Sequence, residues 1–180
     1  MISNRWGAVA VLAGLLAGCG EGRAILNIDF LSFFPAGILD TAYVVPGGTS
    51  GTLDLAPVEI TTVELGGSLI DSAQVTVAAA VANAQGAGSL GFEIYLSDSL
   101  ATLFTPARLV AGDTAAVNGV ETVTLAPPPF PVLDPSIFAT DRLWLGVRLS
   151  VQASAGLALM GRLQFEQLSA RVVVQDELVR

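Results

Sequence analysis

The chain has 180 residues, 52% hydrophobic and only 13% charged, which excludes a disordered polyampholyte lacking the apolar surface to offset ordering entropy. Sixteen acids stand against eight bases, all of them Arg, and the net charge of −8 excludes the basic footprint that nucleic acid requires. A single Cys rules out an internal disulfide, and the absence of His removes the commonest general base and metal ligand.

The first element is an address rather than a fold. Met1 to Arg5 carries one positive charge, and Trp6 to Gly18 is an apolar run ending in small residues before Cys19. This is the layout of a secretory signal. The uncharged stretch from Trp6 to Gly20 holds 15 residues, short of the 18 or more that would span a bilayer.

Leu16-Ala17-Gly18-Cys19 resembles the lipobox of bacterial lipoprotein precursors. The resemblance implies cleavage after residue 18 by the lipoprotein signal peptidase, which would recognise Leu16, Ala17 and Gly18. It also implies a thioether-linked diacylglycerol on Cys19. A thiolate suits that reaction because it is a better nucleophile than a hydroxyl at neutral pH. Two or three acyl chains would anchor the protein stably, where one would be marginal. Gly20, and not Asp, follows the Cys; by the same resemblance this favours the outer membrane of a Gram-negative envelope. The expected organisation is a cleaved leader over 1–18, a lipidated Cys and short tether over 19–23, and one folded domain over 24–180. Without Arg5 the mature chain carries −9, and with no polybasic run its attachment to the membrane rests on the acyl chains of Cys19.

From Ala24 onward the hydrophobic period is two. Leu26, Ile28 and Phe30 alternate with Asn27, Asp29 and Leu31, and Val75, Val77, Ala79 and Val81 with Gln74, Thr76, Ala78 and Ala80. Leu90, Phe92, Ile94 and Leu96 alternate with Gly91, Glu93, Tyr95 and Ser97. Leu143, Leu145, Val147, Leu149 and Val151 do so against Trp144, Gly146, Arg148, Ser150 and Gln152. Such alternation marks half-buried antiparallel strands. Pro57 is expected to interrupt a long edge strand, because it cannot donate to the ladder. Gly66-Gly67 and the stretch from Ala84 to Gly88 are expected to divide strands, and Asn118-Gly119 predicts a hairpin. Ala126 to Pro131 reads as an extended loop. A short helix is expected over 134–140, capped by Asp134 with Pro135 at its first position. The expected fold is all-β, an antiparallel two-sheet β-sandwich of about 8–10 strands with that one short helix. Ser72 to Phe92 is free of charge for 21 residues, but its centre is mostly Ala, so a strand pair fits it better than a transmembrane helix. An outer-membrane barrel would need aromatic girdles, and aromatics are only 7%.

Val77 to Asp98 resembles bacterial immunoglobulin-like, adhesion-type modules, reading as a strand, a turn at Ala82-Asn83 and then Phe92-Glu-Ile-Tyr-Leu-Ser-Asp98. The resemblance implies a non-catalytic module and adds no site.

Chemistry has little to work with. Without His, no Ser-His-Asp or Cys-His arrangement can form. Zinc sites built on His or Cys are excluded, as is a Lys-bearing phosphate loop. A carboxylate-only hydrolase would need two acids about 5–10 Å apart; Glu93, Asp98 and Asp113 are the candidates, and each reads more simply as a solvated edge or turn residue. No cofactor is expected. Binding is the better prospect. Trp144 and Arg148 fall on the less apolar face of one strand and Tyr95 on that of another. If those strands are neighbours, the three could meet a sugar ring or a protein partner. The alternative is that the segment near Ile137-Phe138, or the Pro-rich loop, covers Trp144 as a small second core. The expected function is therefore a lipid-anchored, non-catalytic envelope protein that binds envelope proteins or glycan. A carrier for a hydrophobic ligand held between the sheets, beside the Ala-lined strand 73–82, is the alternative; it needs an internal cavity.

Overall fold

A computed structural model describes residues 22–35, 37–61 and 69–176. The lipobox-like stretch Leu16–Cys19 and the Gly66-Gly67 pair lie outside these residues. Eleven strands form two antiparallel sheets: β1 (Gly22–Asp29), β2 (Asp40–Val45), β3 (Ser50–Asp54), β4 (Val58–Thr61), β5 (Leu69–Gln85), β6 (Ala87–Ser97), β7 (Leu109–Asn118), β8 (Glu121–Leu125), β9 (Phe130–Pro131), β10 (Arg142–Ala153) and β11 (Leu159–Asp176).

In the first sheet β11 pairs with both β1 and β2 along one side and with β5 along the other, and β5 in turn pairs with β8 and β9. The second sheet runs β3 and β4, then β10, β6 and β7. The count exceeds the expected 8–10 because edge strands are broken: Pro57 separates β3 from β4, as its missing N–H requires, and both pieces pair with β10. Taking each broken edge as one strand leaves four positions per sheet. Their connectivity crosses between the sheets at nearly every step, which is the eight-stranded jelly roll. An immunoglobulin sandwich has a different strand order, so the likeness over Val77–Asp98 does not extend to topology. Ala82-Asn83 is not a turn; both residues sit inside β5, opposite Thr122 and Glu121 of β8.

The alternation read from the sequence is the inside–outside pattern of the sheets. Leu143, Leu145, Val147, Leu149 and Val151 of β10 and Leu90, Phe92, Ile94 and Leu96 of β6 are buried in the main core. They face Val75, Val77, Ala79 and Val81 of β5 and Leu163, Phe165, Leu168 and Val172 of β11. On β11 the inward set switches from odd to even numbers at a bulge between Phe165 and Gln167, which inserts one residue and so flips the faces. Ala79 leaves space beside its register partner Phe165, and that ring fills it, packing edge-to-face on Phe92 of the other sheet at 5.5 Å.

Two local expectations need correction. The short helix expected over 134–140 is present as a 3-10 helix, Pro135–Ala139, with Pro135 at its start, but Asp134 accepts from the Ser136 hydroxyl at 2.5 Å rather than capping a backbone N–H. Asn118-Gly119 does not join a hairpin: β7 pairs with β6 in one sheet and β8 with β5 in the other. It is a corner, and it stacks on a second corner at Gly86, between β5 and β6. Both glycines have positive φ, 72° and 83°. Gly119 N–H donates to Gly86 O at 2.8 Å. Buried Asn83 ties the two, its Nδ2 donating to Gly86 O at 3.1 Å and Gly119 O at 2.5 Å while Tyr43 Oη donates to Asn83 Oδ1 at 3.0 Å. A Cβ at Gly161 would run into the Tyr43 hydroxyl, so this knot also fixes a glycine on β11.

Candidate functional site

The outer face of the second sheet carries the polar residues that the alternation excludes from the core. Antiparallel register lines them up in rows across β3, β10, β6 and β7. One row is Thr52, Ser150, Gly91 and Thr114; the next is Asp54, Arg148, Glu93 and Gly112; and Gly146 follows beside Tyr95. Trp144 lies one step further, opposite Ser97.

The first row forms a hollow. Gly91 lies buried beneath it: a Cβ there would come within 2.6 Å of Thr114 Oγ1 and 2.9 Å of Ser150 Oγ, so these two side chains close over the glycine. The groove, about 460 Å³, is lined mainly by hydroxyl and amide side chains, including Ser50, Thr52, Ser89, Ser150 and Gln152.

The second row is a fixed charge array. Arg148 forks onto Asp54 through Nε–Oδ1 at 2.6 Å and Nη2–Oδ2 at 3.0 Å. That bond raises the guanidinium pKa further above its ordinary value, so Arg148 stays charged at any working pH. Its plane also lies over the rings of Phe104 and Tyr95, at 5.0 and 5.5 Å. Tyr95 Oη donates to Glu93 Oε2 at 2.5 Å. Burial first, and that bond to a carboxylate second, push the Tyr95 pKa up and keep the phenol neutral.

Strand register thus brings Tyr95, Arg148 and Trp144 to one face, but not to equal exposure. Tyr95 is 4% exposed and cannot stack on a ligand. The second core anticipated over Trp144 exists elsewhere and is built by another segment. Residues 99–108 fold over the face as a flap with two 3-10 turns, Leu100–Thr102 and Pro106–Arg108. Its Leu103 is fully buried, and Phe104 packs edge-to-face on Tyr95 at 5.3 Å. Both flap side chains rest on Gly146, where a Cβ would meet Phe104 at 2.8 Å and Leu103 at 2.9 Å. A glycine in mid-strand is the sequence signal for such close approach. Buried Ser97 anchors the flap through Thr102 Oγ1 at 2.9 Å and Ser99 N–H at 3.1 Å, and Asp98 bonds Arg108 at 3.2 Å. Ile137 and Phe138 join the main core instead, and Trp144 stays half-buried.

The three carboxylates considered for catalysis have different engagements: Glu93 with Tyr95, Asp98 with Arg108, and Asp113 with the Thr114 N–H at 2.8 Å. Among the described residues no group of three or more His, Cys, Asp or Glu could hold a metal ion. No helix among them is long and apolar enough to cross a membrane.

Neither a protein-family model nor a curated protein matches the chain. Solved structures do. A chain in the structure of infectious bursal disease virus, Gx strain, aligns over 96% of this chain and 37% of its own at 15% identity, with a TM-score of 0.50. A chain in the structure of the Gt strain aligns over 94% and 42% at 15% identity, with a TM-score of 0.46. This protein therefore spans well under half the length of those viral chains. The Gx likeness bears on the fold alone.

Proposed function

We propose that the protein is a lipid-anchored, non-catalytic binding module of the cell envelope, attached through Cys19 and contacting glycan with the outer face of its second sheet. The observation that carries the reading is the hydroxyl-lined groove along Thr52, Ser150 and Thr114, beside the fixed Asp54–Arg148–Glu93 row. Hydroxyl, amide, carboxylate and guanidinium groups held in place by strand register match a polyhydroxylated ligand, which needs several directed hydrogen bonds. An acid–base role fits poorly, because the carboxylates present are engaged with separate partners. The carrier alternative is not favoured: Phe92 and Phe165 occupy the space between the sheets, and the hollow opens outward.

The lipobox supports the anchor, and β1 begins three residues after Cys19, so the fold stands close to the bilayer. By the lipoprotein resemblance, the outer membrane is the favoured site. Two measurements test the proposal. Denaturing mass spectrometry of the protein extracted from a bacterial host should give a chain starting at Cys19 with acyl mass added; an unmodified Cys refutes the anchor. Binding to a saccharide array should be present for the native chain and lost on the double substitution Ser150→Ala and Gln152→Ala, which removes a hydroxyl and an amide from the groove lining. Equal binding by both would remove this face from the reading.

A further inference from the structure

An open edge strand is a template for pairing, and proteins blunt such edges with proline, bulges or inward-pointing charge. Among the described residues, three of the four sheet edges are treated in this way. The β3–β4 edge is broken by Pro57, and the β8–β9 edge by Pro127, Pro128, Pro129 and Pro131. β7 has a register shift opposite Ile94–Tyr95 and carries Asp113 in the register of core-facing Phe92. On the fourth edge β1 has none of these devices. Its eight residues pair with β11 without a break, from Gly22↔Asp176 to Asp29↔Ser169, and contain no proline. Its inward face is apolar, and each face exposes one large apolar side chain, Leu26 at 38% and Ile25 at 51%.

We infer that β1 is a homodimer interface, pairing antiparallel with β1 of a second copy about a two-fold axis through Leu26. The sequence of the strand is self-complementary about that residue. Leu26 meets Leu26, Ala24 meets Ile28, Ile25 meets Asn27, and Arg23 meets Asp29 twice. Ala24, Leu26 and Ile28 lie opposite core residues Val174, Val172 and Ala170 of β11, so the pairing continues the inner layer across the axis. Arg23 is available for it, since its side chain is 61% exposed and its contact with Asp71 is a loose 3.9 Å. Moving one register either way would lose both charge pairs and misalign the apolar stripe. The two Gly22 residues would flank the axis roughly 26 Å apart along the joined strands, so two lipid anchors could share one leaflet.

Sedimentation equilibrium of the full chain in detergent should show a dimer. Arg23→Asp and Asp29→Arg should each weaken it about tenfold, because each variant turns two opposite-charge cross-strand pairs into like-charge pairs. Mixed in equal amounts they should recover it, since the two acids of one chain then face the two bases of the other. Asp29 also accepts the Leu31 N–H, at 3.0 Å, so a second test avoids it. In a Cys19→Ser background, Leu26→Cys should form a disulfide-linked dimer on mild oxidation, as cross-strand neighbours on the axis can. Leu133→Cys, at a residue 96% exposed elsewhere, should not. A monomer at all concentrations, single variants that dimerise as well as the native chain, or equal crosslinking at 26 and 133 would each overturn the interface.

Discussion

Asn83 and Arg148 each tie together segments far apart in the chain, one from inside the sandwich and the other from its outer face. Asn83 is neutral and 3% exposed; it joins β2 to the two sheet-crossing corners at Gly86 and Gly119 with three hydrogen bonds. Arg148 is charged, with a side chain 28% exposed against 42% for Asp54, and it joins β3 to Tyr95 and the flap through Phe104. The difference is one of solvent. A buried amide has no water to fall back on, so each lost bond costs its full desolvation penalty. A half-exposed ion pair can exchange its partner for water and is screened. The inner knot should therefore set stability, and the outer knot should set position.

The largest expected effect follows from this contrast. Asn83→Leu strands the Tyr43 hydroxyl and the Gly119 carbonyl, while Gly86 O keeps the Gly119 N–H, and should cost about 2 kcal/mol or more, since each unsatisfied buried group costs roughly 1–3 kcal/mol. Urea unfolding measures it, and a loss below 1 kcal/mol would mean that water reaches the corners. Tyr43→Phe is milder. It leaves Asn83 Oδ1 without its donor and should cost about 1–2 kcal/mol.

Tyr43 also gives the inner knot a pH signature. Burial raises its pKa from 10.0 to about 12. The unfolded chain then gives up this proton first, so its contribution is complete below pH 10 and lost as pH climbs toward 12. The decline should reach roughly 2–3 kcal/mol, at 1.36 kcal/mol per pKa unit. Unfolding measured from pH 9 to 12 should show a shallower slope in Tyr43→Phe. The remainder includes Tyr95, whose raised pKa acts in the same direction.

The two knots were not equally legible in the sequence. Strand existence, facing and the Pro57 break follow from period two and from a missing N–H, which are local properties. The corner role of Asn118-Gly119 does not. An Asn-Gly pair is a hairpin signal when its flanking strands pair, and only the long-range pairing of β7 with β6 and β8 with β5 decides otherwise. Asn83 was hidden for the same reason, since its three partners lie 3, 36 and 40 residues away. On the outer face, Trp144, Tyr95 and Arg148 could be assigned to one side of their strands. Which of them a neighbour would cover depended on the flap over 99–108. Gly146 was the one residue that marked it.

The smallest expected change on stability is at the outer knot, and it separates position from energy most sharply. Arg148→Lys keeps the positive charge but loses the planar fork on Asp54 and the stacking on Phe104 and Tyr95. Stability should fall by about 1 kcal/mol or less, the range of an exposed pair. The flap should respond more than the fold does. Leu103 and Phe104 are held against Gly146, and Phe104 also packs under the Arg148 guanidinium, so hydrogen exchange at amides 99–108 should speed up while the amides of β10 and β6 keep their protection. A uniform rise in exchange across both strands would mean that the outer knot stabilises the sandwich as a whole, and that charge on this face counts for as much as the buried amide.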